Sequence, residues 1–180
     1  MKKELSRKIE IPEGVSAEID GGLVKIKGPQ GENSRKFILT KLEMTKEGSS
    51  IIVGSKKATK KEKKMMNTIA AHIANMILGV QKKFEYELKA VFSHFPVTLE
   101  LKGHEFIIKN FLGEKMARKT LIPHGVEVEI NGNIIKVTST DRELAGQTAA
   151  NLETATKIRA RDKRVFQDGI FITKKAGEEI

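Results

Sequence analysis

Four stretches of this chain are written twice at a nearly fixed offset, and that repetition leaves little freedom in its architecture. Leu42, Met44, Gly48, Ile51 and Val53 are followed 84 positions later by Val126, Val128, Gly132, Ile135 and Val137. Thr59 and Glu62 precede Thr140 and Glu143 by 81. Upstream, Glu18, Ile19, Gly21, Ile26 and Lys27 match Glu100, Leu101, Gly103, Ile108 and Lys109 at 82, as Gly31-Glu32 matches Gly113-Glu114, and Arg35-Lys36 and Arg118-Lys119 follow at 83. An offset held across strands, turns and a helix start implies tandem copies of one domain. Two copies with so long a period exclude a solenoid.

The repeated unit reads as α+β. Val126, Val128 and Ile130 alternate with acidic residues, Asn131-Gly132 supplies a tight turn, and Ile135 and Val137 resume the alternation, which predicts a β-hairpin with one buried face. Thr140 and Glu143 have capping-box spacing, so a helix is expected to start there, with Leu144, Thr148, Ala149, Leu152 and Ala155 on the buried stripe. In the first copy, strands are expected over 9–11, 15–19, 23–27 and 33–39, after a short charged arm, 1–7, that frays. The turn Gly28-Pro29-Gln30-Gly31 lacks the Gly-Lys-Ser/Thr ending of a phosphate loop and reads as an ordinary turn. The junction is expected at 79–83, giving an N-terminal repeat domain over 1–81 and a C-terminal one over 82–180. A long strand, 84–92, opens the second copy.

Charge narrows the partner. The net charge of +10 and pI near 9.7 attract polyanions. Lys56, Lys57, Lys60, Lys61, Lys63 and Lys64 sit in the loop and first turn ahead of a helix, where lysine opposes the macrodipole. Either a bound polyanion neutralises them or they form a solvated charged loop. The tail after the second helix, 158–175, has no counterpart in the first copy. It crowds Lys157, Arg159, Arg161, Lys163 and Arg164 into eight residues, followed by Phe166 and Phe171. A helix dipole accounts for one or two such cations, whereas arginine with aromatics suits phosphate contact and stacking on RNA bases. Asp168-Gly169 should turn the chain into a last strand, 170–172, on a sheet edge. Phe111 and Leu112 are unusual in a loop; a domain junction or a partner would cover them.

Catalysis and metal binding find no footing. His72, His94, His104 and His124 are scattered, without metal-ligand spacing or an oriented carboxylate, and no G-x-S-x-G is present. There is no cysteine, which removes disulfides and thiolate sites. No cofactor, metal or catalytic residue is expected. The longest apolar stretch, 68–80, is too short to span a bilayer, and no secretory signal opens the chain, so a soluble intracellular protein is expected.

The segment Arg161-x-x-Arg164-x-Phe166-x-Asp168-Gly169-Ile170-Phe171-Ile172 carries a resemblance, together with Ser93-His94-Phe95-Pro96, the loop Asn110-Phe111-Leu112-Gly113-Glu114-Lys115 and the opening Ile11-Pro12-Glu13-Gly14-Val15. Across essentially its whole length the chain resembles the family of ribosomal protein six of the large subunit, in the archaeal and eukaryotic form. The resemblance implies two similar domains, each an antiparallel β-sheet with one packed α-helix. It implies binding to large-subunit ribosomal RNA among neighbouring ribosomal proteins, near the stalk base, the sarcin–ricin loop and the docking region of translational GTPases, and no catalysis. Carried over by position, the tail from Lys157 to Lys175, including Lys174, and the loop from Asn110 to Lys115 face RNA, with Lys56 to Lys64 a weaker candidate. Arg164→Ala should then weaken RNA binding more than Lys56→Ala. An RNA-binding or RNA-chaperone module outside the ribosome is the alternative.

Overall fold

The computed structural model describes residues 3–93, 95–162 and 164–180. The chain divides into two compact units, Met1–Lys83 and Phe84–Ile180. In the first unit the strands are β1 (Lys3–Glu10), β2 (Ser16–Asp20), β3 (Leu23–Gly28), β4 (Gly31–Lys36), β5 (Glu43–Glu47) and β6 (Ser50–Ala58), followed by the helix α1 (Lys60–Gln81). They make two antiparallel sheets, ordered β2-β3-β4 and β1-β6-β5. The second unit repeats this plan with β7 (Phe84–Val91), β8 (Thr98–Lys102), β9 (Glu105–Lys109), β10 (Arg118–Leu121), β11 (Val126–Asn131), β12 (Ile134–Ser139) and the helix α2 (Arg142–Ala155). Its sheets are β8-β9-β10 and β11-β12-β7, the latter continued by β13 (Gly169–Lys175) and β14 (Glu178–Glu179). The α+β duplication is as expected, with the sheet of each copy divided into two.

The duplication extends to strand register. Met44 faces Val53 in the first unit, and their counterparts Val128 and Val137 face each other in the second. Lys46 with Ile51 and Ile130 with Ile135 repeat the correspondence. A shift by one residue would turn every core side chain to solvent, so conserving the alternation conserves the register.

α1 starts with the capping box that the sequence spells. Glu62 accepts from the Thr59 backbone N–H at 2.9 Å and Thr59 Oγ1 accepts from the Lys61 N–H at 3.3 Å, satisfying donors that a helix start leaves unpaired. Met66, Ile69, Ile73, Met76, Ile77 and Val80 recur at helical spacing and are buried against Val24, Ile26, Ile51 and Val53. The methionines of this face are therefore core. In the second unit Leu88, Phe106, Ile108, Ile135, Val137, Leu152 and Ile170 form the corresponding core, with Ala145 and Ala149 letting α2 approach the sheet closely.

Several local expectations are corrected. The arm does not fray from its third residue onward: β1 begins at Lys3 and pairs with β6 from Lys3↔Ala58 to Glu10↔Ser50, with Glu4, Arg7, Lys8 and Glu10 exposed and Arg7 donating to the Asn67 side-chain oxygen at 3.0 Å. Lys56 and Lys57 close β6 and do not occupy a loop. The cap of α2 is Asp141, whose carboxylate accepts from the Glu143 N–H at 2.8 Å, and Thr140 stands outside. A carboxylate one residue nearer the helix satisfies the same donor and adds a favourable charge at the positive helix end. The buried stripe consequently uses Ala145 where Leu144 was expected. Residues 79–81 continue α1, with Gly79 and Val80 buried, so the break falls after Lys83. Phe111, 1% exposed, fills the core of its own unit.

Candidate nucleic-acid interface

The second unit carries a cationic groove built where three pieces of chain meet. α2 ends at Ala155; Thr156 then turns the chain, its Oγ1 donating to the Glu153 carbonyl at 3.1 Å and accepting from the Ile170 N–H at 2.9 Å. That hydroxyl bonds the helix end to β13 and sends the intervening residues outward as a loop. β10 runs alongside and contributes Arg118. Its guanidinium donates to both carboxylate oxygens of Glu114, at 2.8 and 2.6 Å, and to the carbonyls of Ala155 at 2.8 Å and Lys157 at 3.4 Å. It also lies over the Phe111 ring, 4.5 Å from the centroid. One side chain therefore joins the 111–114 turn, β10 and the exit of α2.

The turn itself is held in an uncommon backbone. Asn110 and Leu112 have φ of 59° and 51°, conformations that side chains other than glycine adopt at a cost of about 1 kcal/mol or more. The buried Phe111 between them and the Asn110 Nδ2 bond to the Pro96 carbonyl at 3.1 Å keep it there. The hydrogen bonds from Arg118 hold the Glu114 carboxyl below its usual range, with Arg161 adding to the effect, and the same pairing raises Arg118.

Between these pieces lies a groove of about 690 Å³ bordered by Arg118, Lys119, Lys157, Arg159 and Arg161, with Glu114 the one carboxylate on its walls. Glu114 is occupied by Arg118, and Lys119 reaches Glu105 at 3.2 Å. Lys157, Arg159 and Arg161 are exposed and form no ion pair among the described residues. Three cations without an ion pair on one concave surface suit a run of phosphates.

The structure distributes the remaining expected residues differently. Arg161 stacks on Phe166, 4.9 Å from the ring centroid. Arg164 is exposed and turned back onto Asp162 at 2.8 Å, lowering that carboxyl. Lys174 pairs with Glu87 at 3.1 Å on the sheet, and Lys175 and Lys115 are exposed. Asn110 supports the turn and does not line the groove. Lys163 lies outside the described residues, as does His94 of the Ser93–Pro96 motif. Lys60, Lys61, Lys63 and Lys64 are exposed on the first turns of α1, and Lys56 and Lys57 on β6, all in the first unit, whereas the groove is built from the second. Sequence reasoning missed Arg118 and Lys119 as site residues; their recurrence with Arg35-Lys36 was the available signal.

Residues 11–83 match the family described as Ribosomal protein L6, and residues 95–169 match it a second time. The chain belongs to the ribosomal protein L6 family. The doubled match restates the duplication seen in register. Relatives are similar over nearly their full lengths. The large ribosomal subunit protein uL6 of Methanobrevibacter smithii is 43% identical over 95% of this chain and 96% of its own. That of Methanothrix thermoacetophila is 42% identical over 97% and 99%, and that of Sulfurisphaera tokodaii 44% over 95% and 92%. As a ribosomal protein L6 member the chain is a structural component and not an enzyme.

Proposed function

We propose that this protein is a structural component of the large ribosomal subunit in the cytoplasm, holding large-subunit ribosomal RNA mainly through its second unit. The observation carrying this reading is the groove whose cations Lys157, Arg159 and Arg161 form no ion pair among the described residues while the neighbouring Arg118 and Lys119 do. Family membership supports the subunit, its RNA and neighbouring ribosomal proteins as partners, and through the resemblance a position near the stalk base, the sarcin–ricin loop and the docking region of translational GTPases. The functional division is between a first repeat domain, expected over 1–81, and a second, expected over 82–180 and bearing the basic tail, with the compact units dividing two residues later, after Lys83.

The mechanism follows from charge and shape. Cations of the groove, joined by Arg164, Lys174, Lys175 and Lys115 elsewhere on the second unit, neutralise phosphates where RNA helices converge, and the fixed 111–114 turn selects the fit by shape more than by base edges. Arg164 must exchange Asp162 for phosphate on binding. The test is a salt series comparing a ribosomal RNA fragment that spans the sarcin–ricin region with an unrelated structured RNA of equal length. A preference of about tenfold, or 1.4 kcal/mol, persisting at salt that releases the unrelated RNA is expected. Superimposed curves would instead describe a general polyanion binder, the reading of an RNA chaperone outside the ribosome.

A further inference from the structure

A second groove, of about 710 Å³, opens on the β13 side of the 157–158 segment, and its chemistry differs from that of the cationic one. Phe166, Phe171, Ile158 and Val91 line it with apolar surface. Phe171 is 44% exposed, its ring lying across Gly169, where an added Cβ would stand 3.1 Å from the ring tip. Two carboxylates also border it, Glu153 and the buried Asp168. Asp168 is 4% exposed; its Oδ1 accepts from the Ser93 N–H and Oγ, each at 3.2 Å, and its Oδ2 has no hydrogen-bond partner among the described residues. A buried carboxylate oxygen left without a donor is costly, which makes it a position awaiting one.

We propose that this groove receives a single unstacked RNA base bearing an amino group, adenine, cytosine or guanine, stacked on Phe171 and donating to Asp168 Oδ2. The inference rests on the RNA-binding reading above and adds a base-specific subsite to it. Charge selects RNA over a protein partner. A cationic peptide side chain would also satisfy Asp168, but Lys157, Arg159, Arg161 and Arg164 close by in the chain repel it and attract phosphates. Aromatic rings at the edge of a cationic surface are the arrangement on which splayed bases stack. Uracil is disfavoured because its one imino donor stands between two carbonyl oxygens, which the carboxylate repels.

The experiment uses the full chain with equal-length oligoadenosine, oligocytidine and oligouridine, whose phosphates are the same in number, so affinity differences report the base. Oligoadenosine and oligocytidine should bind about tenfold more tightly than oligouridine, a charge-assisted hydrogen bond being worth at least that. Phe171→Leu should remove most of that advantage. Asp168→Asn keeps an acceptor for Ser93 and places an amide donor at the other position, so the order should turn toward oligouridine, an inversion that a purely structural aspartate would not produce. Equal binding of the three oligonucleotides by the wild-type protein overturns the proposal, as does an unchanged order in folded Asp168→Asn. If that variant fails to fold, Phe171→Leu decides, since persistence of the preference would overturn the subsite. The ribosomal fragment separates the two readings: fragment-specific binding without base preference removes only the subsite, whereas loss of fragment specificity removes the reading beneath it.

Discussion

Arg118 illustrates how much one planar cation can organise. Lysine offers a single point charge and could satisfy either Glu114 or the carbonyls at the end of α2, but it has no fork to span them and no flat face for Phe111. Arg118→Lys is therefore expected to destabilise the protein by about 1–2 kcal/mol, read as a fall in Tm, with Lys119→Ala close to neutral because that side chain is exposed. The pair also gives a pH signature. Glu114 ordinarily titrates near 4.5 and is held lower when folded, so the stability it contributes is complete above about pH 4.5 and is lost as pH falls through the depressed value. Glu114→Gln should flatten that part of a Tm-against-pH profile relative to the wild type, by a modest amount since the carboxylate is partly exposed and screened. Such pairings were hard to read in the sequence. The capping box at Thr59 was legible because its partners are three residues apart; Arg118 acts on carbonyls 37 and 39 positions away, and no local pattern announces that. At α2 two adjacent residues, Thr140 and Asp141, could each cap the helix, and the carboxylate at Asp141, with its favourable charge at the helix start, takes the Glu143 N–H.

At the scale of elements, turns and edges decide how helices meet sheets. The Gly28–Gly31 turn, which reads superficially as a phosphate cradle, closes the end of α1: the Gln30 N–H donates to the Val80 carbonyl at 2.9 Å. Gly28 must then come so near that an added Cβ would stand 2.8 Å from both the Val80 carbonyl oxygen and its Cγ2. Because one of those atoms is backbone in the last turn of a helix, relief requires moving the turn. Gly28→Ala should cost about 1–3 kcal/mol, measured as a lower urea midpoint with an unchanged m-value. The final strand was legible for a related reason. Asp168-Gly169 marks a turn, and the apolar residues after it need a sheet edge, which β7 provides from Gly169↔Val91 onward. β1 was not legible beyond its apolar end, since 3–8 carry alternating charge and a solvated arm has the same composition as an edge strand. The lysines at 56 and 57 mislead in the same way: they lie inside β6 at the irregularity between Leu5↔Ser55 and Lys3↔Ala58, where a charged strand end has the composition of a loop.

For the whole molecule, duplication made the architecture readable and the departure from it made the function readable. Both units share strand order around one helix, yet the second alone is extended by a tail that leaves α2, forms the groove wall and returns as β13. Composition pointed to a polyanion but spread the candidates over both copies; the groove gathers Lys157, Arg159 and Arg161 on one concave surface, whereas Lys60 and Lys61, also without an ion pair among the described residues, stand on the first turn of α1. This difference predicts unequal contributions to RNA binding. Each phosphate neutralised on duplex RNA or DNA releases bound counterions, and the slope of log affinity against log salt changes by roughly 0.9 per contact for B-form DNA, with a comparable value expected here. Replacing Arg159 and Arg161 together by alanine should make that slope shallower by roughly two for the ribosomal fragment. The corresponding replacement of Lys60 and Lys61 in the first unit, chosen because those residues are equally exposed and equal in number, should change it less. Equal changes would mean that the protein is held by diffuse charge over both copies, and the groove would lose its claim to be where RNA is gripped. A larger effect at Arg159 and Arg161, with the folded state preserved, would mean that the tail converted one copy of a duplicated scaffold into the RNA-holding half.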